Sequence, residues 1–331
     1  MTELNVHTLP QTIELYLKEQ QWITPEDKVL TLEKPGEGNM NVVVRVQLEE
    51  GSLILKQSRP FVQKYPQIPA PIERVAIESQ FYDLASDNDM LDTFLPGVIG
   101  YDDEHYIFAL EDLGAGADYT FLYQKDESGA LPEIEAAVKF LYALHQTRFS
   151  EKEMRSFPDN LALRKLNHEH LFVYPYLLDN GFDLDTVQEG LQAVAMAYKK
   201  DEALKKEIDQ LGAIYLGSGS ALLHGDYYPG SWLRVKNGFR VIDPEFTFFG
   251  PPEYDYGVMV AHFKMARLPE TMVRTALEQY PSGSDFDAEL ARKITGMEIL
   301  RRIIGLAQLP LELSLEERKA LLAEAAQLVK S

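Results

Sequence analysis

Polar and apolar positions alternate, or run β-branched, over residues 28–34, 42–48 and 52–57, the period-two pattern of strands. Glu49-Glu50-Gly51 closes a hairpin between the second and third of them. Residues 11–21 read as a short amphipathic helix, after which Thr24-Pro25 opens a turn. Over 72–86 the apolar residues Val75, Ile77, Phe81, Leu84 and Ala85 take a mostly helical spacing, and two more strand-like runs follow at 95–101 and 105–111. The first third of the chain therefore predicts a five-stranded antiparallel sheet with one helix.

After Gly114 and Gly116 the period changes. A helix is predicted over 133–146 and one or two more over 184–211. A strand-rich island then interrupts the helices at 221–224, 232–235 and 239–242, with Lys236-Asn237-Gly238 as a hairpin turn between the last two. Helices resume over 253–265, 270–279, 286–306 and 315–329, the last opened by Ser314 and Glu317 as a capping box. The shift near Leu113 divides the chain into an N-terminal lobe, 1–112, and a mainly helical C-terminal lobe, 113–331, so the fold class is α+β.

Composition narrows the function. The chain has 331 residues, enough for two lobes, and 45% of them are hydrophobic, enough for a sizeable core. With 52 acidic and 32 basic residues the formal net charge is −20, which argues against a nucleic-acid or anionic-membrane partner. There is no cysteine, so disulfides, thiolate nucleophiles and cysteine-based zinc sites are excluded. The polar amino terminus lacks a secretory layout, and no uncharged apolar stretch reaches the roughly 18 residues that cross a bilayer. A soluble, cytoplasmic protein is expected; oligomeric state is left open, a homodimer included.

Candidate chemistry begins between the first two strands, in Pro35-Gly36-Glu37-Gly38-Asn39-Met40-Asn41. Glycines at such a turn let backbone N–H groups approach phosphate oxygens. Alone, a Gly-rich hairpin is more often only a turn, and Lys56 near the end of the third strand an ordinary solvated lysine. Twenty-two residues later, however, Glu78 falls on the helix after the sheet. Hairpin, strand lysine and helix glutamate in this order match the kinase arrangement in which the lysine holds the α- and β-phosphates and the glutamate orients it.

The strongest signal is Leu223-His224-Gly225-Asp226-Tyr227-Tyr228-Pro229-Gly230-Ser231, followed through the hairpin by Val241-Ile242-Asp243-Pro244-Glu245. An aspartate just past a short strand can accept the hydrogen bond of a substrate hydroxyl and hold it in line with a γ-phosphorus. Asp243 and Glu245 are two apart, so an extended backbone puts both carboxylates on one face, where they can share a magnesium ion. A loop of turn-forming acids accounts for Asp243 alone, but not for acidic loops on both sides of one hairpin.

The series Gly38-Asn39-Met40-Asn41, Leu55-Lys56-Gln57, Glu111-Asp112-Leu113, His224-Gly225-Asp226 with Gly230-Ser231, Asp243-Pro244-Glu245-Phe246 and Arg301-Arg302-Ile303-Ile304-Gly305-Leu306-Ala307 resembles the methylthioribose kinases. They belong to the aminoglycoside and choline phosphotransferase group, with a two-lobed, protein-kinase-like fold. Serine at Ser231, where most of the wider group has asparagine, together with Asp-Pro-Glu narrows the resemblance to the methylthioribose kinase branch. The resemblance implies Asp226 as the catalytic residue, Asp243 and Glu245 as the magnesium ligands with Ser231 beside the metal, and Lys56 with the loop from Gly36 to Asn41, Asn39 included, on the phosphates of ATP. It implies Glu111 to Leu113 as the hinge against adenine, and Arg301 with Arg302 as an arginine pair facing phosphoryl or substrate oxygens. Consecutive helix positions point about 100° apart, so one of the pair is expected to aim directly at the phosphoryl group.

The expected activity is ATP- and Mg²⁺-dependent phosphorylation of a hydroxyl on a small molecule, first methylthioribose or a related pentose. The alternatives are an aminoglycoside, choline or amino-acid acceptor and, from another class, a nucleotide-binding regulator without catalysis. The chain departs from the resemblance at Tyr227-Tyr228-Pro229, where a leucine-histidine-threonine-like segment is expected; tyrosines there would reshape the acceptor wall. His168 and His170 stand at i, i+2, not at the i, i+4 of a helical metal pair, and are read as structural or pocket lining. His145, Trp232, Tyr254 and Tyr256 read as core residues.

Overall fold

The computed structural model describes residues 3–36, 39–124 and 131–331. They form two compact units, one of residues 1–117 with 234–246, the other of 118–233 with 247–331. The division is not a single cut: 234–246, which runs from the hairpin strands past Asp243 and Glu245, is grouped with the N-terminal stretch.

In the first unit β1 (Val29–Glu33), β2 (Val42–Leu48), β3 (Ser52–Gln57), β4 (Val98–Asp102) and β5 (Ile107–Glu111) make an antiparallel sheet in the order β1-β2-β3-β5-β4. The five expected strands are all present. The last two start later than their apolar runs, and Tyr106, with φ of 52°, turns the chain into β5. Period-two alternation decides which side chain meets which helix. Val44, Val46, Leu53, Leu55, Ile107 and Ala109 pack with Ile13, Tyr16 and Leu17 of α1 (Pro10–Glu19). Lys56, one position out of phase with Leu55, stands between Val43 and Phe108 in register and meets α2 (Arg74–Ser86), which carries Glu78. A short hairpin of Phe61–Val62 with Tyr65–Pro69 lies outside the sequence expectations.

The second unit is mainly helical. α3 (Leu131–Gln146) and α6 (Ala288–Ile304) correspond to the expected helices, as do α5 (Glu253–Met265) and α7 (Leu315–Lys330). The 184–211 pattern is two helices, 191–199 and α4 (Glu202–Leu216), separated where the Asp201 side chain caps α4 by accepting from the Leu204 N–H. The Ser314–Glu317 capping box is formed. Two strands of three residues, β6 (Ala221–Leu223) and β7 (Phe248–Gly250), pair antiparallel in this unit. α6 is its central helix. Gly257 of α5 and Gly296 of α6 allow this packing, since a Cβ at either would stand 2.7 Å from the Ala291 carbonyl oxygen or 2.5 Å from that of Ala325. Among the described residues no helix is long and apolar enough to cross a membrane.

Candidate active site

The first unit carries one set of expected residues. Lys56 is 4% exposed, yet its ammonium lies 2.7 Å from Glu78 Oε2 and 2.5 Å from Asp243 Oδ1. Burial works against a charged lysine, but Asp243, Glu78 and Glu245 outweigh it and raise the Lys56 pKa. The fully buried Glu78 is pushed up to about 8 by burial, with Lys56 pulling the other way. Asp243 keeps half of its side chain exposed and sits at φ of 62°, a left-handed conformation that costs a non-glycine residue energy.

Glu245 is more enclosed. It accepts from Asn41 Nδ2 at 2.9 Å and has Arg74 Nε at 3.7 Å, while burial raises its pKa. Arg74 is fully buried and donates to the carbonyls of Met40, Arg59 and Pro71, each at 2.7 Å. Asn41 accepts from Ser58 Oγ at 3.1 Å. The end of the Gly-rich loop is thus fastened to α2 and to Glu245, and the Asn39 and Met40 carbonyls accept from Lys64 and Gln63 of the short hairpin. A Cβ built at Gly36 has no neighbour within 4 Å, and Gly38 lies outside the described residues. The all-oxygen pair Asp243 and Glu245 suits a hard divalent cation.

At the end of β5, Glu111 is tied to the residue preceding β4: its N–H donates to the Gly97 carbonyl at 2.8 Å and its carboxylate accepts from the Gly97 N–H at 3.0 Å. Next to it Asp112 accepts from Arg45 Nε and Ser52 Oγ, both at 2.6 Å, and from the Gly114 N–H at 3.0 Å. Leu113, half-buried, follows this anchor.

The second unit carries the other set. After β6 the chain turns through Gly225, at φ of 84°, into Asp226. Asp255 of α5, fully buried, fixes this turn by accepting from the N–H groups of His224 at 2.6 Å and Gly225 at 3.1 Å. Ser231 Oγ donates to the Asp226 carbonyl at 2.9 Å, so this hydroxyl braces the loop. Asp226 itself retains 29% of its side-chain exposure. Desolvation raises its pKa, with Arg302 and Arg301 opposing.

Both arginines converge on one Asp226 oxygen, Arg302 Nη2 at 3.5 Å and Arg301 Nη2 at 3.8 Å. Glu298, one helical turn earlier, gathers both guanidiniums: Arg301 Nε donates to it at 2.6 Å and Arg302 Nε at 2.8 Å. The paired tyrosines also part company. Tyr227 is fully buried, stacks on Phe140 and donates to the Ala137 carbonyl at 2.8 Å, so it is core and not acceptor wall. Tyr228 lies half-buried with its ring 4.6 Å from the Arg302 guanidinium carbon.

His145, Trp232 and Tyr254 are buried as expected, while Tyr256 is half-buried against Tyr280. His168 and His170 pack against Phe172 and Tyr174, and among the described residues no group of three or more His, Asp or Glu could hold a metal ion. Sequence reasoning passed over Arg74, Asp255, His262 and Glu298. Glu298 carries a signal in the sequence, an acid three and four residues before two arginines; Asp255, between Tyr254 and Tyr256, carries none.

One expected result concerns Asp255. Asp255→Asn turns an amide N–H₂ toward one of two buried N–H donors, and is expected to lower the unfolding free energy by about 2 kcal/mol, read by denaturant titration. A change below about 0.5 kcal/mol would mean that the turn holds itself.

The family model described as "Phosphotransferase enzyme family" matches residues 31–292. A methylthioribose kinase of Exiguobacterium sibiricum is 29% identical over 255 residues, covering 73% of this chain and 62% of the relative, so the chain spans less than two thirds of that protein's length. A methylthioribose kinase of Bacillus velezensis is 27% identical over 322 residues, covering 84% of this chain and 79% of the relative. Among solved structures, spectinomycin phosphotransferase in complex with ADP and spectinomycin has a TM-score of 0.54 and 13% identity, covering 98% of each chain. That likeness establishes the protein-kinase-like fold.

Proposed function

Because the chain belongs to the phosphotransferase enzyme family, whose model spans 31–292, we propose that it is an ATP- and Mg²⁺-dependent kinase of a small-molecule hydroxyl, with methylthioribose or a related pentose as acceptor. The observation that carries this is Lys56, buried yet charged, bridged to both Glu78 and Asp243. A lysine held this way is a fixed cation for the α- and β-phosphates. The methylthioribose kinases among its relatives support the acceptor, and the ADP in the spectinomycin phosphotransferase complex supports the nucleotide.

In this reading the first unit serves the nucleotide: Lys56 and the loop from Gly36 to Asn41 take its phosphates, Glu111 to Leu113 its base. Asp243 and Glu245 would hold magnesium, which when bound neutralises charge on the phosphate oxygens. The second unit serves the acceptor. Asp226 orients the hydroxyl and takes its proton as the acceptor oxygen bonds to the γ-phosphorus. The bond from that phosphorus to the β-bridging oxygen breaks, and its electron pair leaves with ADP. Arg301 and Arg302 stabilise the charge spread over the transferring oxygens. Ser231, whose proton is given to the Asp226 carbonyl, keeps oxygen lone pairs for a metal or its water.

Two guanidiniums beside Asp226 disfavour cationic acceptors such as choline or an aminoglycoside, and intact Lys56, Asp226 and Asp243 disfavour a regulator without catalysis. The test is a coupled ADP-release assay with methylthioribose, other pentoses, an aminoglycoside and choline. Turnover on methylthioribose or another pentose is expected. Turnover on cationic acceptors alone overturns the acceptor, and Mg²⁺·ATP-dependent turnover on none of them overturns this kinase reading.

A further inference from the structure

Behind the arginine pair lies a chain of buried polar groups that direct phosphoryl transfer does not need. Glu298 is 0% exposed, and besides the two arginines it has a third partner: His262 Nε2 of α5 stands 3.0 Å from Glu298 Oε1. On the other side of the ring, the Tyr123 hydroxyl stands 2.6 Å from His262 Nδ1. A carboxylate only accepts, so Nε2 carries the proton and donates; Nδ1 then accepts, and Tyr123 O–H must donate. One tautomer satisfies both contacts. The ring is further covered by Tyr228, 5.3 Å away between centroids, which also faces Arg302.

We propose that Tyr123 and His262 are positioning residues that fix the Glu298 carboxylate, and through it aim Arg301 and Arg302 at the Asp226 side of the acceptor site. This rests on the phosphoryl-transfer reading above. A carboxylate shared by two guanidiniums on its own helix could swing with either one; a third donor from a different helix removes that freedom. Both arginines then arrive preorganised, which is what stabilising transferred charge requires.

The electrostatics agree with the geometry. The ionisable groups facing the His262 ring are Glu298, Arg301 and Arg302 from α6, Tyr123 from the turn before α3, and Tyr228 from the loop after Asp226. Burial, helped by the two arginines and opposed by Glu298, lowers the His262 pKa to about 4. The imidazole therefore stays neutral at working pH and keeps the single N–H that the chain of contacts needs. Although burial opposes it, the pair of arginines holds Glu298 well below the ordinary carboxylate range.

The experiment compares Tyr123→Phe, His262→Leu, His262→Gln and the double variant Tyr123→Phe/His262→Leu in the full chain. Turnover is measured alongside hydrogen exchange of the Arg301 and Arg302 Nε–H groups by ¹⁵N NMR, which needs no acceptor. His262→Leu is expected to lower kcat about tenfold at unchanged KM for ATP and to speed Nε–H exchange by a similar factor. His262→Gln, whose amide can donate to Glu298, is expected to recover most of both. The double variant should fall no further than His262→Leu, because both residues act through one carboxylate. Unchanged exchange and kcat in Tyr123→Phe and His262→Leu, or additive losses in the double variant, overturn the proposal. If no acceptor turns over, the exchange rates still decide it, and Tyr123→Phe, which removes one oxygen, serves if His262→Leu does not fold.

Discussion

Asp226→Asn is expected to lower kcat about a thousandfold, within the range that positioned acid–base groups contribute, while nucleotide affinity stays within about twofold. The asparagine keeps the shape of the side chain and can still hydrogen-bond a hydroxyl, but it has no basic oxygen to take the proton. Separation of the two quantities follows from where the groups lie. Lys56, Glu78 and Asp243 form their contacts inside the first unit, whereas Asp226 makes its contacts with Arg301, Arg302 and Ser231 in the second. Desolvation raises the Asp226 pKa, so the acid limb of the kcat profile should lie above the ordinary aspartate range, with activity lost as pH falls through it, and this limb should vanish in the asparagine variant. Steady-state kinetics with calorimetric ATP binding measures both. A loss below tenfold would remove Asp226 from the proton transfer.

What could be read from the chain before its fold was known depended on separation. Lys56 and Glu78 lie 22 positions apart on neighbouring elements, close enough for their order to carry meaning. His224-Gly225-Asp226 and Asp243-Pro244-Glu245 are contiguous motifs around one hairpin. By contrast, Asp255 reaches the His224 N–H across 31 positions, and Tyr123 reaches His262 across 139. At none of these positions does a local pattern distinguish a buried brace from any other polar residue. Tyr227 and Tyr228 are identical neighbours; only the backbone turn after Asp226 sends one into the core and the other over Arg302. Consecutive positions on a helix diverge by about 100°, yet one buried carboxylate that accepts from positions i+3 and i+4 together brings the Arg301 and Arg302 guanidiniums side by side, a pairing no helical periodicity shows. Arg74 offered no signal, since its donors serve backbone carbonyls that every sequence possesses.

The second large effect lies at the buried lysine. Lys56→Met removes the cation that bridges Glu78 and Asp243, and should lower kcat/KM for ATP by about 10²-fold or more through loss of the phosphate-facing charge. It should also cost about 3 to 5 kcal/mol of stability, the usual consequence of leaving one member of a buried ion pair behind. That cost should depend on pH. Burial raises the Glu78 pKa from its ordinary value to about 8 in the folded protein, so the folded state binds the proton more tightly than the unfolded chain. Its contribution is fully present below the unfolded value and is lost as pH rises through the folded one. Without Lys56, which pulls that pKa down, the losing window extends to higher pH. Denaturant titrations of Lys56→Met should therefore show a larger deficit at about pH 9 than at about pH 6. Above that window, adding Glu78→Gln removes the stranded charge, and there the double variant should return to within about 2 kcal/mol of the parent while remaining inactive. Recovery of stability without recovery of activity would separate the two roles of Lys56, as structural partner of Glu78 and as holder of phosphate. A deficit independent of pH, or one that the glutamine leaves untouched, would mean that Glu78 is not the group that needs the lysine.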